Sequence, residues 1–132
     1  MRMDFQCLEV LLGLPAFRVI HQVLSPQQLE LHLERRDSHS VCPHCGTCCS
    51  RVKESRPRCS RDLPILERSV MLWLHLRRFA CPECRHRPWE TSETFGERTK
   101  WTQRLYQQVR AECLRGCPCN ELARRYGLSA RT

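Results

Sequence analysis

Four of the eleven cysteines in this chain of 132 residues form two C-P-x-C motifs. The motifs are Cys42-Pro43-His44-Cys45, followed by Gly46, and Cys81-Pro82-Glu83-Cys84. A C-x-x-C pair at a β-turn directs two thiolates at one metal ion, and two such pairs complete a closed tetrahedral site. Gly46 suits the left-handed residue that follows such a turn. The spacing therefore predicts one structural zinc ion, with no open coordination position for catalysis, held by Cys42, Cys45, Cys81 and Cys84.

Two other uses of paired cysteines fit the sequence less well. A thioredoxin-like redox site needs a single C-x-x-C at the start of a helix that follows a strand, not two facing pairs. A secreted disulfide framework needs an even number of cysteines and an export signal. The count here is odd, and Asp4 and Glu9 interrupt the apolar N-terminus, so we expect a cytoplasmic, nucleoid-associated protein.

Further side chains near the two motifs leave the ligand assignment partly open. A third cysteine follows Cys45 at the same spacing of three, and a histidine lies within or beside each motif. The side chains in question are Cys48, Cys49, Cys59, His44 and His86. The later thiols lack a fourth ligand and are expected to be small buried side chains: Cys113, Cys117 and Cys119.

The positive charge of the chain points to a nucleic-acid partner. There are 22 Lys and Arg against 14 Asp and Glu, and nearly all the cations are arginines, which bind phosphate in bidentate fashion. The excess lies in the cysteine-bearing middle and in the C-terminal part. We therefore expect double-stranded DNA as partner, with a merely basic surface as the alternative. The candidate phosphate contacts are Arg51, Lys53, Arg56, Arg58, Arg61, Arg77, Arg78, Arg124, Arg125 and Arg131.

The N-terminal part predicts a helix and a β-hairpin. Asp4 can cap a short helix that Gly13 and Pro15 end. Its expected apolar face is Phe5, Leu8, Leu11 and Leu12. Alternation then predicts two strands joined at Ser25-Pro26-Gln27, with one buried face. The alternating residues are Phe17, Val19, His21 and Val23 on the first strand and Leu29, Leu31 and Leu33 on the second.

The segment between the two motifs predicts a basic strand and turn, then a longer strand that runs into Cys81. On the longer strand one apolar face consists of Val70, Leu72, Leu74 and Leu76. The opposite face consists of Met71, Trp73, His75 and Arg77. That mixed face could meet nucleic acid or pack under the N-terminal hairpin, and the sequence does not separate the two.

From about residue 99 the hydrophobic period changes from strand to helix. Trp101, Leu105, Val109 and Cys113 recur every four residues, and Gly116 ends the helix. A second helix follows, and the stretch from Glu121 to Ser129 is typical of a helix-turn-helix, with Gly127 in the turn. The chain ends at Thr132, so we expect the recognition helix to be cut. We predict a zinc-binding β-rich domain over 1–97 and a helix-turn-helix segment over 98–132.

The order of these motifs resembles the N-terminal part of bacterial insertion-sequence transposases of the ISL-three type. The order is L-L-G-L-P-A-F-R-V, a hairpin, C-P-H-C-G, S-R-D-L-P, R-R-F-A-C-P-E-C and the helix-turn-helix. By this resemblance the four motif cysteines are the zinc ligands, and Leu63-Pro64 and Arg77-Arg78-Phe79 belong to the flanking signature. The family's catalytic domain, whose acidic triad binds two divalent metals, would follow residue 132. The extra cysteines depart from the family pattern.

These observations predict an α+β fold, a small zinc ribbon with an N-terminal helix and hairpin followed by helices. We interpret the chain as a zinc-stabilised module that recognises the inverted-repeat DNA at transposon ends. It has no catalytic residues of its own, since its only aspartates are Asp4, Asp37 and Asp62 and no catalytic spacing occurs. The alternative is a zinc-ribbon module that binds another protein, or a truncated transposase remnant that acts as a regulator. The chain could then form a homodimer or bind a full-length transposase. No membrane partner is expected.

Overall fold

The computed structural model describes residues 4–90 and 100–128. It confirms the predicted α+β class, with a helix first, strands in the middle and two helices last. The elements are α1 (Phe5–Leu12), β1 (Phe17–Leu24), β2 (Gln28–Arg35), β3 (Ser40–Val41), β4 (Cys48–Cys49), β5 (Arg51–Ile65), β6 (Arg68–Ala80), α2 (Gln103–Leu114) and α3 (Cys119–Tyr126). No helix in these two ranges is long and apolar enough to cross a membrane.

Helix α1 forms as predicted and covers one face of the sheet. The Asp4 carboxylate accepts hydrogen bonds from the backbone N–H groups of Gln6 (2.8 Å) and Cys7 (3.2 Å) and so caps the helix. Gly13 ends the helix with a φ of 67°. Leu8 and Leu12 are fully buried, and each contributes about 2 kcal/mol by burial. The predicted place of Leu11 on this face is wrong, because a two-turn helix meets the sheet at positions four apart and Leu11 is 48% exposed.

Four strands form the main sheet in the order β1-β2-β6-β5. Strands β1 and β2 are the predicted hairpin, and Leu29, Leu31 and Leu33 are all buried. An irregularity between Val19 and His21 shifts the register of β1, so the predicted alternation stops there and Val23 is exposed. The hairpin joins β6 edge to edge through a parallel pairing.

This parallel pairing answers the question about the second face of β6. The hairpin extends the sheet beside β6 and does not cover it. Trp73 stacks on His32 with ring centroids 6.0 Å apart, and the His75 Nε2 lies 2.9 Å from the His32 Nδ1. The side chains on this second face of β6 therefore pack against side chains from neighbouring strands of the same sheet.

Strands β5 and β6 form an antiparallel hairpin that extends past the rest of the sheet. The segment predicted as a strand and a turn is the single strand β5. The pairing of β6 with β2 ends at Leu74, and residues 75–80 pair with β5 on one edge and form a single bridge, from Arg78 to Trp89, on the other. The hairpin thus has a turn end, near Leu66 and Glu67, and an open end that carries the cysteine motifs.

Helices α2 and α3 pack at the turn end of this hairpin. Their shared core consists of Leu105, Val109, Leu122 and Tyr126, with Leu63 and Trp101 against it. The prediction that Cys113 and Cys119 are buried is wrong, since both are exposed, and Cys117 is half-buried. The buried Asp62 carboxylate accepts hydrogen bonds from Thr102 Oγ1 (2.7 Å) and Arg104 Nε (2.8 Å), and Arg104 Nη1 donates to the Leu12 carbonyl (2.6 Å). One arginine therefore joins α2, β5 and the end of α1.

Candidate metal centre

The four motif cysteines meet at the open end of the β5–β6 hairpin. Their sulfur atoms all lie within 4.8 Å of one another, with 3.5 Å between Cys42 and Cys84 and 3.4 Å between Cys45 and Cys81. A tetrahedral zinc centre with Zn–S bonds near 2.3 Å has sulfur–sulfur edges of about 3.8 Å. The donor set fits zinc, and four protein ligands leave no position for a reacting water. The predicted structural zinc site is confirmed.

Both cysteine turns share the same local geometry. The Gly46 N–H donates to the Cys42 carbonyl (2.9 Å), and Gly46 adopts a φ of 74°, as predicted for the residue after the turn. A hydrogen bond from the Cys45 backbone N–H lowers the pKa of the Cys42 thiol, against the effect of burial. The equivalent bond from Cys84 lowers the pKa of Cys81 to about 6. Each turn therefore stabilises the thiolate that a metal requires.

The fourth sulfur shows why the site needs a cation. A backbone hydrogen bond from His86 lowers the pKa of Cys84, but burial and the neighbouring thiols outweigh it and raise that pKa to about 12. Several thiolates this close repel one another unless a positive ion neutralises them. A divalent zinc ion supplies that charge and holds all four sulfurs as thiolates.

The structure also shows where the alternative ligands lie relative to the four motif cysteines. Within the described residues, these four cysteines are the one group of His, Cys, Asp and Glu side chains arranged to hold a metal. Cys48 is exposed, and the Cys59 sulfur instead contacts the Met71 sulfur at 2.8 Å. His44 and His86 stack on each other, and His86 Nδ1 lies 3.3 Å from the Cys84 sulfur. His86 is thus placed to hydrogen-bond a ligand and not to replace one.

Cys49 packs against the centre without joining it. It is buried beside Phe79, Cys42 and Cys81, and burial raises the pKa of its thiol to about 11. A thiol that stays protonated contacts the ligands as an apolar wall and a weak donor. Its position after Cys48, in the short strand β4, gave no sequence signal for this role.

Two cysteine knuckles at the open end of an antiparallel hairpin define a zinc ribbon. Residues 38–84 match the protein family described as the zinc-finger of transposase IS204/IS1001/IS1096/IS1165. This region of the chain is a zinc ribbon of that transposase type, as the motif order predicted. The match contains both knuckles and the whole β5–β6 hairpin.

A curated relative supports the same family. The chain is 34% identical over 79 residues to the transposase for insertion sequence element IS1001 of Bordetella parapertussis. The match covers 60% of this chain and 20% of the relative, so it spans about a fifth of the relative's length. No solved structure matches the chain.

The structure sorts the predicted DNA contacts by their carboxylate partners. Arg77 pairs with the buried Glu90 (2.6 Å), Arg78 with Glu54 (2.9 Å), and Arg125 with Glu112 and Glu121 (2.9 Å each). Arg58 and Arg61 are half-buried on β5, and burial lowers the pKa of Arg61. Arg131 lies outside the described residues. Within the described ranges, exposed cations with no carboxylate within 4 Å include Arg51, Lys53, Arg56 and Arg124.

Sequence reasoning missed two further cations of this kind. Arg85 and Arg87 follow the second knuckle, are exposed, and have no carboxylate within 4 Å in the described part of the chain. Their position beside a C-x-x-C motif could have identified them, because residues next to a knuckle are held by the metal. They lie close to Arg51 and Lys53 across the hairpin.

Proposed function

We propose that this chain is a DNA-binding module of a transposase that recognises transposon-end DNA without catalytic residues of its own. The observation that carries the proposal is a cluster of four cations at the zinc end. Arginines elsewhere on the sheet, such as Arg18 and Arg36, are neutralised by Glu34 and Glu9. Of the cations that have no carboxylate within 4 Å among the described residues, four lie together at the zinc end, where phosphates can supply the negative charge: Arg51, Lys53, Arg85 and Arg87. Others, such as Arg68 and Arg124, lie apart from this group.

The zinc end would position DNA, and the helical end would read it. Phosphate contacts fix register without sequence information, whereas base contacts specify. We propose α3 as the first helix of a helix-turn-helix, with Gly127, φ 69°, in the turn. Ser129 and the recognition helix that it would start lie outside the described residues. The exposed Arg124 on α3 would contact phosphate beside them.

The division at residue 97 and the cytoplasmic, nucleoid-associated location also stay proposals. The Asp62–Arg104 contact would keep the two parts, 1–97 and 98–132, in a fixed orientation. The similarity of residues 38–84 to the zinc-finger of transposases supports the location.

Titration of zinc-loaded protein into labelled duplex DNA at several salt concentrations tests the proposal. Neutralising about six phosphates gives a slope of log K against log salt of about −5. A duplex carrying the element's inverted repeat and a scrambled duplex of equal composition give the specificity ratio. A slope near zero would show that the arginines serve solubility alone.

A second candidate function is docking on another protein, as a partner or regulator of a full-length transposase. Large apolar side chains remain exposed on helices, with Val10 at 80% and Leu114 at 79% exposure. Sedimentation of the chain alone and with a full-length transposase distinguishes the candidates. A stable complex that survives Val10→Ser would argue against docking through α1.

A further inference from the structure

A cleft of about 420 Å³ lies between the second zinc knuckle and the start of β5. We call it the knuckle cleft, and its lining includes Arg51, Lys53, Cys81, Pro82, Arg85 and Arg87. We propose that the knuckle cleft is a phosphate-binding site that holds the backbone of duplex DNA. The inference rests on the proposed function and assigns its principal contact surface.

Four cations converge on the knuckle cleft, and its lining includes no acidic residue. Arg51, Lys53, Arg85 and Arg87 are all exposed, and none has a carboxylate within 4 Å among the residues that the structure describes. A divalent zinc ion with four thiolates is net negative and offsets part of this charge, but the four cations still leave the knuckle cleft net positive, so it attracts an anion. Guanidinium groups match phosphate oxygens in bidentate fashion.

The backbone at Arg85 is a second, independent observation. Arg85 follows the second knuckle where Gly46 follows the first, and both are left-handed, with φ of 62° and 74°. Glycine adopts this conformation freely, whereas a residue with a Cβ is strained in it. Residues held in this conformation are enriched at binding sites. The other two described non-glycine residues with a positive φ, Leu66 and Glu67, form the tight turn of the β5–β6 hairpin. At this knuckle an arginine occupies the position that glycine would fill without strain.

The shape of the charged surface favours a polymer over a small anion. Arg51 and Lys53 begin β5, and the cations continue along this strand to Arg56, whose guanidinium lies over the Trp89 ring at 5.5 Å. Five residues of strand extend about 16 Å, which is roughly half the length of a helical turn of DNA. One phosphate would fill part of the cleft, and successive phosphates would follow the strand.

The metal fixes one wall of the cleft. Cys81 lines it and ligates zinc, and Pro82 and Arg85 flank the same knuckle. Strand β5 supplies the other wall, and its register to β6 shifts between Val52 and Glu54, at Lys53. The phosphate-binding groups are therefore held by the zinc ribbon itself, separately from helices α2 and α3.

The test compares binding of zinc-loaded full chain to a short duplex of random sequence over a range of salt. The variant is Arg85→Gly with Arg87→Gln, and the charge-matched control is Arg18→Gln with Arg68→Gln, on β1 and at the turn end. We expect the variant to lose affinity about tenfold at low salt, and its salt slope to flatten by about 2, or about 0.9 per phosphate contact. The control should lose no more than about twofold, as expected for charges that contact no phosphate.

Two further variants distinguish the loss of a phosphate contact from damage to the zinc site. Arg85→Gly should bind one zinc per chain and melt no lower than the parent, because glycine removes the strain. Lys53→Gln lies outside the knuckles and should flatten the slope by about 0.9 without touching the metal site. Equal losses of affinity in variant and control, with normal DNA binding by the parent, would overturn phosphate binding in the knuckle cleft. The proposed function would then still stand. A zinc-loaded parent that binds no duplex at low salt would overturn both.

Discussion

The two ends of the β5–β6 hairpin are held together by different chemistry. At the open end, four sulfur atoms and the small cluster around Phe79 hold the strands, and the site is complete only with a metal ion. At the turn end, the buried Asp62 and Arg104 pair and a four-residue apolar core hold helices α2 and α3. At the open end, Arg51, Lys53, Arg85 and Arg87 have no carboxylate within 4 Å among the described residues, whereas at the turn end Arg104 and Arg125 are neutralised.

The end of the hairpin that is proposed to position DNA is therefore not the end that the main apolar core stabilises. The ten-residue core under α1 does not include the zinc end, since its β6 members stop at Leu74. The zinc end has too few apolar side chains to remain folded by burial, so metal ligation substitutes for a core. Positive charge can remain beside the knuckles without a carboxylate partner, because metal ligation and not ion pairing holds the knuckles.

Removal of zinc should have the largest effect and should be local. Structural zinc sites bind with apparent free energies of about 10 kcal/mol or more in small peptides. With chelator, we expect hydrogen exchange at Gly46 and Cys81 to accelerate by several orders of magnitude. The amides of Leu31 and Leu72, in the main core, should keep their protection. Uniform acceleration across the chain would show that the two ends unfold as one unit.

Asp62→Asn should have the next largest effect, at the turn end. Asp62 is fully buried, and removing one partner of such a pair leaves the other charge uncompensated, at a cost of about 3 kcal/mol. Denaturant unfolding measures this cost. Glu54→Gln is the matched control, because the Glu54–Arg78 pair is more than one third exposed and should contribute about 0.5 kcal/mol. Equal values for the two variants would contradict the assigned role of Asp62.

Glu9→Gln should have the smallest effect and should depend on pH. Burial opposes ionisation of Glu9, but hydrogen bonds from the Val19 N–H (3.0 Å) and from Arg36 (2.6 Å) outweigh it and lower the pKa. A lowered folded-state pKa stabilises the fold above the unfolded value, and this contribution disappears as pH falls through the folded pKa. We expect a loss of about 1 kcal/mol at neutral pH that vanishes in acid. Thermal unfolding at several pH values, with Glu67→Gln as control, checks it.

The sequence predicted the features that depend on local pattern. The zinc ligands, the cap at Asp4, the N-terminal hairpin and both C-terminal helices follow from spacing, period and turn residues within a few positions. The parallel pairing of β2 with β6 could not be predicted, because it joins segments about 40 residues apart whose partners share no local signal.

The carboxylate partners of the arginines were the second feature that could not be predicted from the sequence. Arg77 and Arg78 stand side by side in the sequence with Arg85 and Arg87 close behind, and nothing local distinguishes them. Folding brings Glu90 and Glu54 onto the first two, whereas the second two have no carboxylate within 4 Å in the part of the chain that the structure describes. Ion pairing is set by tertiary contacts, so sequence alone gives the number of cations but not which remain available.

The two-residue turn at Leu66 and Glu67 has a consequence for the metal at the far end of the hairpin. The turn joins β5 to β6 covalently, and zinc joins the same strands at the opposite end, so the chain between Cys45 and Cys81 is a ring closed through the metal. Closing a ring costs conformational entropy that prior folding of the hairpin has already removed. A substitution in the turn that reduces the fraction of metal-free protein with a paired hairpin should therefore lower zinc affinity in proportion to that fraction, across about 40 Å of strand. The measured zinc affinity therefore reports the stability of the metal-free hairpin.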